Sequence, residues 1–224
     1  MDYQIWFNGT FGPRSEAKIS IEDRGFRSGD VVFDTSRTFN GSVFRLRDHL
    51  KRLYRSLQYV RIDPGLTIDE MEELTLEVVK RNESIREPSD DYMVTQMVTR
   101  GEGSFRITPG MKPNVIIWID PIDFAHFAPK YESGAHVVIP RTRAYSSDQV
   151  DPKVKHYNRL NFALANLEAS DVDPDSFPVL LDTDGNLTES YGSNFLIVTD
   201  GVVRTPTDKS ILHGISRSVI LELA

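Results

Sequence analysis

The chain has 224 residues, no cysteine and a formal net charge of −7 at pH 7. That excludes a disulfide framework, a thiolate metal site and a cysteine nucleophile, and the acidity argues against nucleic-acid binding as the main activity. With 39% hydrophobic and 26% charged residues, it reads as a globular protein of one large or two small domains.

The longest apolar runs, VIIWI at 115–119 and FLIV at 195–198, are too short to span a membrane. The opening MDYQIWFNG has no basic stretch followed by an apolar one. A cytoplasmic protein without membrane attachment is therefore expected. The five histidines are scattered without metal-ligand spacing, so none is assigned to a metal.

Residues 3–8 predict a strand ending in a turn at Asn8-Gly9, with a second extended piece near 17–21. Gly25 and Gly29 punctuate a loop. Val31, Phe33 and Thr35 then alternate with Val32, Asp34 and Ser36, which predicts a strand with one buried face and a turn at Asn40-Gly41. Leu46, Leu50, Leu53, Leu57 and Val60 step as the stripe of an amphipathic helix, with Arg52 beside it on the side of His49 and Ser56. Thr67 and Glu70 form a capping box for a second helix, whose predicted buried side is Ile68, Met71, Leu74 and Val78.

Residues 91–99 predict a strand and 114–119 a central one, apolar throughout. The segment at 121–134, with two prolines and no clear period, is expected to be an interdomain linker. That gives domains at 1–120 and 135–224. In the second, Val137–Ile139 is a strand. The stretch VDPKVKHYNRLNFALANLE at 150–168 then offers Lys155 just ahead of a helix with Phe162, Ala165, Leu167 and Ala169 on its apolar side and Asn158, Asn161 and Asn166 elsewhere. A lysine packed against a core is a plausible nucleophilic amine, because burial favours its neutral form; taken alone it is also what a solvated surface lysine looks like. Asp184-Gly185 and Asp200-Gly201 signal two hairpins. Gly214 and Ile215 precede Ser216, read as the N-cap of a closing helix whose first amides could hold an anion.

Four segments occur in a fixed order: DRGFRSGDVVFDT at 23–35, DHLKRLYRS at 48–56, DPKVKHYNRLNF at 151–162, and LDTDGNLTESYGSNFLIVTDGVVRTP followed by LHGISRSVI. In this the whole chain resembles the class IV aminotransferases, pyridoxal-phosphate enzymes of fold type IV. The group includes branched-chain and D-amino acid aminotransferases, (R)-selective amine transaminases and aminodeoxychorismate lyase.

The resemblance implies an α+β fold, with a small N-terminal α/β domain and a larger β-rich C-terminal domain with helices. It implies pyridoxal 5'-phosphate as cofactor, amino donors and keto-acid acceptors as substrates, and a homodimer. Material for a subunit interface is expected in VIIWI and in the aromatic Phe124, Phe127 and Tyr131. Residue by residue, Lys155 matches the lysine that holds the cofactor as a Schiff base, and Glu189 the carboxylate that pairs with the pyridine nitrogen. Arg52 matches the phosphate arginine, and Gly214, Ile215 and Ser216 the phosphate-binding helix start. Tyr191, Gly192, Ser193 and Asn194 match the turn after the glutamate.

For substrate, the resemblance points to Phe33 as a pocket wall. Arg106 falls where (R)-amine transaminases hold a carboxylate-binding loop arginine. Arg159 is read as either a substrate-carboxylate ligand or a structural partner. Ser28 stands where that branch often has histidine. The resemblance leaves two alternatives beside transamination: a lyase of the aminodeoxychorismate type, and a weak or inactive relative. Relatives usually continue for several tens of residues beyond LELA, with a further hydroxyl for the phosphate, so a fragment or a shortened member with a weakened site is expected.

Overall fold

The computed structural model describes residues 2–224. They form two compact units. One runs to Ile122 and takes in Lys155–Asn158; the other comprises Asp123–Val154 and Arg159–Ala224.

In the first unit, β1 (Gln4–Phe7) and β2 (Thr10–Pro13) are joined directly by Asn8 and Gly9, both at positive φ (47° and 94°). This is the conformation that an Asn-Gly hairpin turn requires. The second strand therefore starts at once, and not near 17–21 as expected. A five-residue helix, α1 (Arg24–Ser28), replaces the expected loop. Asp23 caps it by accepting from the Gly25 amide at 2.6 Å.

β3 (Val31–Phe39) and β4 (Ser42–Val43) form a second hairpin. They are followed by α2 (Leu46–Val60), α3 (Ile68–Asn82), β5 (Tyr92–Thr99) and β6 (Asn114–Pro121). The six strands make one sheet in the order β2-β1-β6-β5-β3-β4, antiparallel at every pairing. α2 packs against β3, and α3 against β6 and β1.

The leucine stripe of α2 is buried as expected, together with His49, Arg52 and Ser56. Thr67 and Glu70 form both hydrogen bonds of the capping box. α3 buries Met71 and Val78 but turns Thr75, Val79 and Asn82 inward rather than Ile68 and Leu74. β3 departs from expectation more fully, since Val32, Asp34, Ser36 and Thr38 are buried as well as Val31 and Phe33. Its even-numbered side meets α2, and Phe33 on the odd side stacks on Tyr157, so both faces are covered. Val115, Ile116, Ile117 and Ile119 of β6 are likewise buried within this unit, which removes VIIWI as interface material.

The second unit opens with α4 (Phe124–Ser133), inside the segment expected to be a linker. Asp123 accepts from the His126 amide at 3.2 Å to start it. Pro121, which ends β6, and Pro129, inside the helix, hide it from pattern reading. β7 (Val137–Val138) pairs in parallel with β8 (Phe177–Pro178), on either side of α5 (Leu160–Ser170) in sequence.

α5 corrects its expected face. Asn161, Ala165 and Ala169 are buried, four residues apart along one side, while Leu167 is 65% exposed. β9 (Ile197–Thr199) and β10 (Val202–Arg204) form the hairpin predicted at Asp200-Gly201. The other predicted hairpin closes through the Thr188 amide to Leu180 O and the Leu180 amide to Glu189 O, at 2.9 and 3.1 Å. α6 (Ile215–Leu223) ends the chain.

Candidate active site

The sequence-predicted residues fall into two clusters, one in each unit. Lys155, Arg52 and Phe33 belong to the first. Lys155 does not sit at a helix start, since α5 begins only at Leu160. It lies instead in an extended segment added to the edge of β3. The Phe33 amide donates to Lys155 O at 3.1 Å, and Val32 and His156 form an antiparallel bridge. The Lys155 amide donates to Ser56 Oγ at 3.1 Å. Asn158 Nδ2 donates to Gly29 O at 2.8 Å, closing the segment onto the loop after α1.

These bonds aim the lysine side chain. Its Nζ stands 4.6 Å from the centroid of the Phe33 ring, and Tyr157 stacks on that ring at 3.8 Å. An aromatic face attracts the ammonium form and gives the amine an apolar wall.

Arg52 is 4% exposed. Its Nε and Nη2 donate to the two oxygens of Asp34 at 2.7 and 2.8 Å, a bidentate fork in the interior. His49 Nδ1 lies 2.8 Å from Asp34 Oδ1. Burial by itself would push the Asp34 carboxyl up. The adjacent Arg52 charge, with hydrogen bonds from Arg52 and His49, outweighs this and holds it below the ordinary carboxylate value. Sequence reading missed Asp34. Its signal was a carboxylate at mid-strand in a segment otherwise buried on both faces.

Arg106 is exposed on the loop between β5 and β6. Arg24 Nη1 anchors that loop through Ser104 O at 2.7 Å and Phe105 O at 3.3 Å.

The second cluster is built around Glu189, which is half-buried. Its Oε2 accepts from Asn194 Nδ2 and from the Leu212 amide, both at 3.0 Å. Asn194 Nδ2 also donates to Leu212 O at 3.0 Å, tying the turn after Glu189 to the approach to α6. The Ser190 amide donates to Ser193 O at 2.9 Å and closes the turn through Tyr191 and Gly192. Ser193 is exposed, and with Ser190 and Asn194 it borders a cavity of about 320 Å³. Arg159 Nη1 donates to Tyr191 O, and its guanidinium carbon lies 5.0 Å from the Tyr191 ring and 5.4 Å from the Phe162 ring.

Gly214, not Ser216, is the N-cap of α6, so Ile215 and Ser216 are its first two helical residues. The Ser218 amide donates to Gly214 O at 3.0 Å, the first bond of the helix, and a Cβ at Gly214 would overlap Asn194 Oδ1. The first amides of α6 lack intrahelical partners, as at any helix start. Arg217, which sequence reading passed over, braces the turn before α6 through Thr205 Oγ1 at 2.9 Å and Asp208 Oδ1 at 3.2 Å. Among the described residues, no group of three or more His, Asp or Glu could hold a metal ion.

Comparison with known proteins agrees with this chemistry. The family model for amino-transferase class IV matches residues 31–224. A putative branched-chain-amino-acid aminotransferase of Methanocaldococcus jannaschii is 36% identical over 99% of this chain and 74% of its own. A D-alanine aminotransferase of Bacillus licheniformis is 30% identical over 98% and 74%. The crystal structure of the Escherichia coli branched-chain amino acid aminotransferase superposes with a TM-score of 0.91 at 27% identity, covering 100% of this chain and 74% of that one. The T.th. branched-chain amino acid aminotransferase, solved with pyridoxamine 5'-phosphate, gives 0.87 at 28% identity over 100% and 73%. The chain belongs to the class IV aminotransferases.

Proposed function

We propose that the chain uses pyridoxal 5'-phosphate to move an amino group between an aliphatic amino acid and a 2-keto acid. The observation that carries this reading is the placement of Lys155, with its backbone stitched to β3 and Ser56 and its Nζ over Phe33. Each unit carries residues that suit that cofactor: the first an amine for its carbonyl carbon and a buried guanidinium for its phosphate, the second helix-start amides for the phosphate and a carboxylate for the ring nitrogen. A branched-chain aminotransferase solved with the cofactor's pyridoxamine form supports the assignment. When bound, the cofactor supplies an electron-withdrawing ring that lowers the cost of negative charge at the substrate Cα.

The chain's own groups do the rest. Lys155 Nζ would hold the cofactor's carbonyl carbon and would be the base that carries a proton at the substrate Cα. Glu189 would keep the ring nitrogen protonated by charge pairing. Its two fixed donors orient the carboxylate. In the first unit Arg52 would bind a phosphate, and in the second the amides of Ile215 and Ser216 would do so. Ser193 and Asn194 shape the turn that presents Glu189, and Gly214 gives Asn194 its room.

Phe33, 7% exposed with Tyr157 stacked on its ring, is our choice for a wall of the substrate pocket. Arg106, exposed on its loop, is our choice for the substrate carboxylate. Arg159, engaged with Tyr191, supports the turn instead. We read the active form as a cytoplasmic homodimer. The exposed aromatic rings of α4, Phe127 at 46% and Tyr131 at 90%, support an interface there.

The test is borohydride reduction of the cofactor-loaded protein, followed by peptide mapping. The label is expected on Lys155. Label on Lys153, or a colourless protein that takes up no cofactor, overturns the reading. A coupled assay offering L-leucine, D-alanine and aminodeoxychorismate, with mass detection, separates transamination of either hand from lyase chemistry. Sedimentation of active protein as a monomer overturns the dimer.

A further inference from the structure

Asp34 lies mid-way along β3 and is fully buried, at 0% exposure. Both its oxygens are occupied. Oδ2 accepts from Arg52 Nε, while Oδ1 meets Arg52 Nη2, His49 Nδ1 and the Thr35 amide, the last at 2.8 Å. A planar fork meeting a planar carboxylate in two parallel bonds fixes the plane and direction of the guanidinium, which a single contact leaves free to swing. An apolar pair of similar volume would hold α2 on β3 without desolvating two charges. What the fork adds is a guanidinium with one orientation.

The neighbouring residue ties the same strand to the candidate amine. Phe33, next to Asp34, bonds its amide to Lys155 O and sets its ring by Lys155 Nζ. Successive residues of a strand point to opposite faces. One strand thus places the candidate amine from one face and the candidate phosphate ligand from the other.

We infer that Asp34 is a positioning residue that holds the Arg52 guanidinium for the cofactor phosphate, an inference that rests on the function proposed above. Asp34 touches neither cofactor nor substrate and acts through Arg52. An amide in its place would turn an NH2 group toward donors that now find a carboxylate oxygen, and the fork would open.

The test compares two probes on the full chain: pyridoxal phosphate, and pyridoxal, which offers the same aldehyde without the phosphate. Affinities are read from the absorbance of the lysine adduct. Asp34→Asn is expected to weaken pyridoxal phosphate by about 10- to 100-fold, the range for one lost charge-assisted hydrogen bond, and to leave pyridoxal unchanged. In an Arg52→Met background, Asp34→Asn should add no further loss. A merely structural Asp34 would weaken both probes equally, and that result overturns the inference. So does unchanged affinity for pyridoxal phosphate. If Asp34→Asn does not fold, Asp34→Glu decides by the same comparison, since it keeps the charge but displaces the fork by one methylene. Wild-type protein that binds neither probe overturns the cofactor assignment itself, and the role of Asp34 with it.

Discussion

Asn194 gives one Nδ2 group to two acceptors, Glu189 Oε2 and Leu212 O, each at 3.0 Å. The Leu212 amide reaches the same Glu189 oxygen. The carboxylate is thereby held from both ends of the segment that separates the turn from α6. Glu189→Gln keeps an oxygen that can accept both bonds, so the local fold should survive. It removes the charge needed to keep a pyridine nitrogen protonated. A kcat loss on the order of a hundredfold or more, about 3 kcal/mol, is expected with cofactor affinity less affected. Steady-state kinetics beside cofactor titration check this, and near-normal kcat would remove Glu189 from the role.

Acid should unfold the first unit through its interior carboxylates. Burial raises the pKa of Asp34, but the Arg52 charge and its hydrogen bonds prevail and leave the folded value below the ordinary one. Asp30 follows the same pattern, with burial opposed by bonds from Arg100 and Arg24. A carboxyl with a depressed folded pKa binds protons more readily when unfolded. Its stabilisation is full above the unfolded value of roughly 3.9 and is lost as pH falls through the folded value. The melting temperature should therefore hold from neutral pH to about 5 and fall increasingly below about 4. Because the Asp34 pair is buried, added salt should do little to that fall. A melting temperature unchanged down to about pH 2.5 would show that these pairs contribute nothing.

The start of α3 offers a test in which no catalytic group takes part. The Glu70 amide donates to Thr67 Oγ1 at 3.2 Å, and Glu70 Oε2 accepts from the Thr67 amide at 2.7 Å. Thr67→Ala removes the first of these and should cost about 1 kcal/mol of stability. Urea unfolding should show a lower midpoint with an unchanged slope. Transaminase activity at ambient temperature should be unaltered, and a matching loss of activity would mean that α3 communicates with the site.

What the sequence could show divides along physical lines. The α2 stripe, the α3 capping box and the Asp200-Gly201 hairpin were legible because each is fixed by neighbours in the chain. Lys155, Arg52 and Glu189 are singled out only by the family motifs, since spacing alone does not separate them from surface charges. Asp34 was hidden because its partners, Arg52 and His49, reach it only once α2 has folded onto β3. α4 was hidden because Pro129 masks its period. The buried face of α5 was misjudged because Asn161, a polar residue, turns inward while Leu167 turns out.

Gly214 provides the sharpest test of how the second cluster is assembled. Its φ of −64° and ψ of 133° are open to any residue, so backbone strain does not require glycine there. What requires it is Asn194 Oδ1, which occupies the space a Cβ would take. Gly214→Ala must therefore push the Asn194 amide away, and with it the Nδ2 that holds Glu189. The expected cost is about 1–3 kcal/mol from overpacking, with weaker cofactor binding and lower kcat. Asn194→Ala loses the Glu189 bond directly but leaves the space open. If the two act through one contact, adding Gly214→Ala to Asn194→Ala should bring little further loss, and the double-mutant cycle should show strong coupling. Kinetics and thermal melts on the four proteins measure it. Simple additivity would mean that Gly214 serves α6 independently of Asn194.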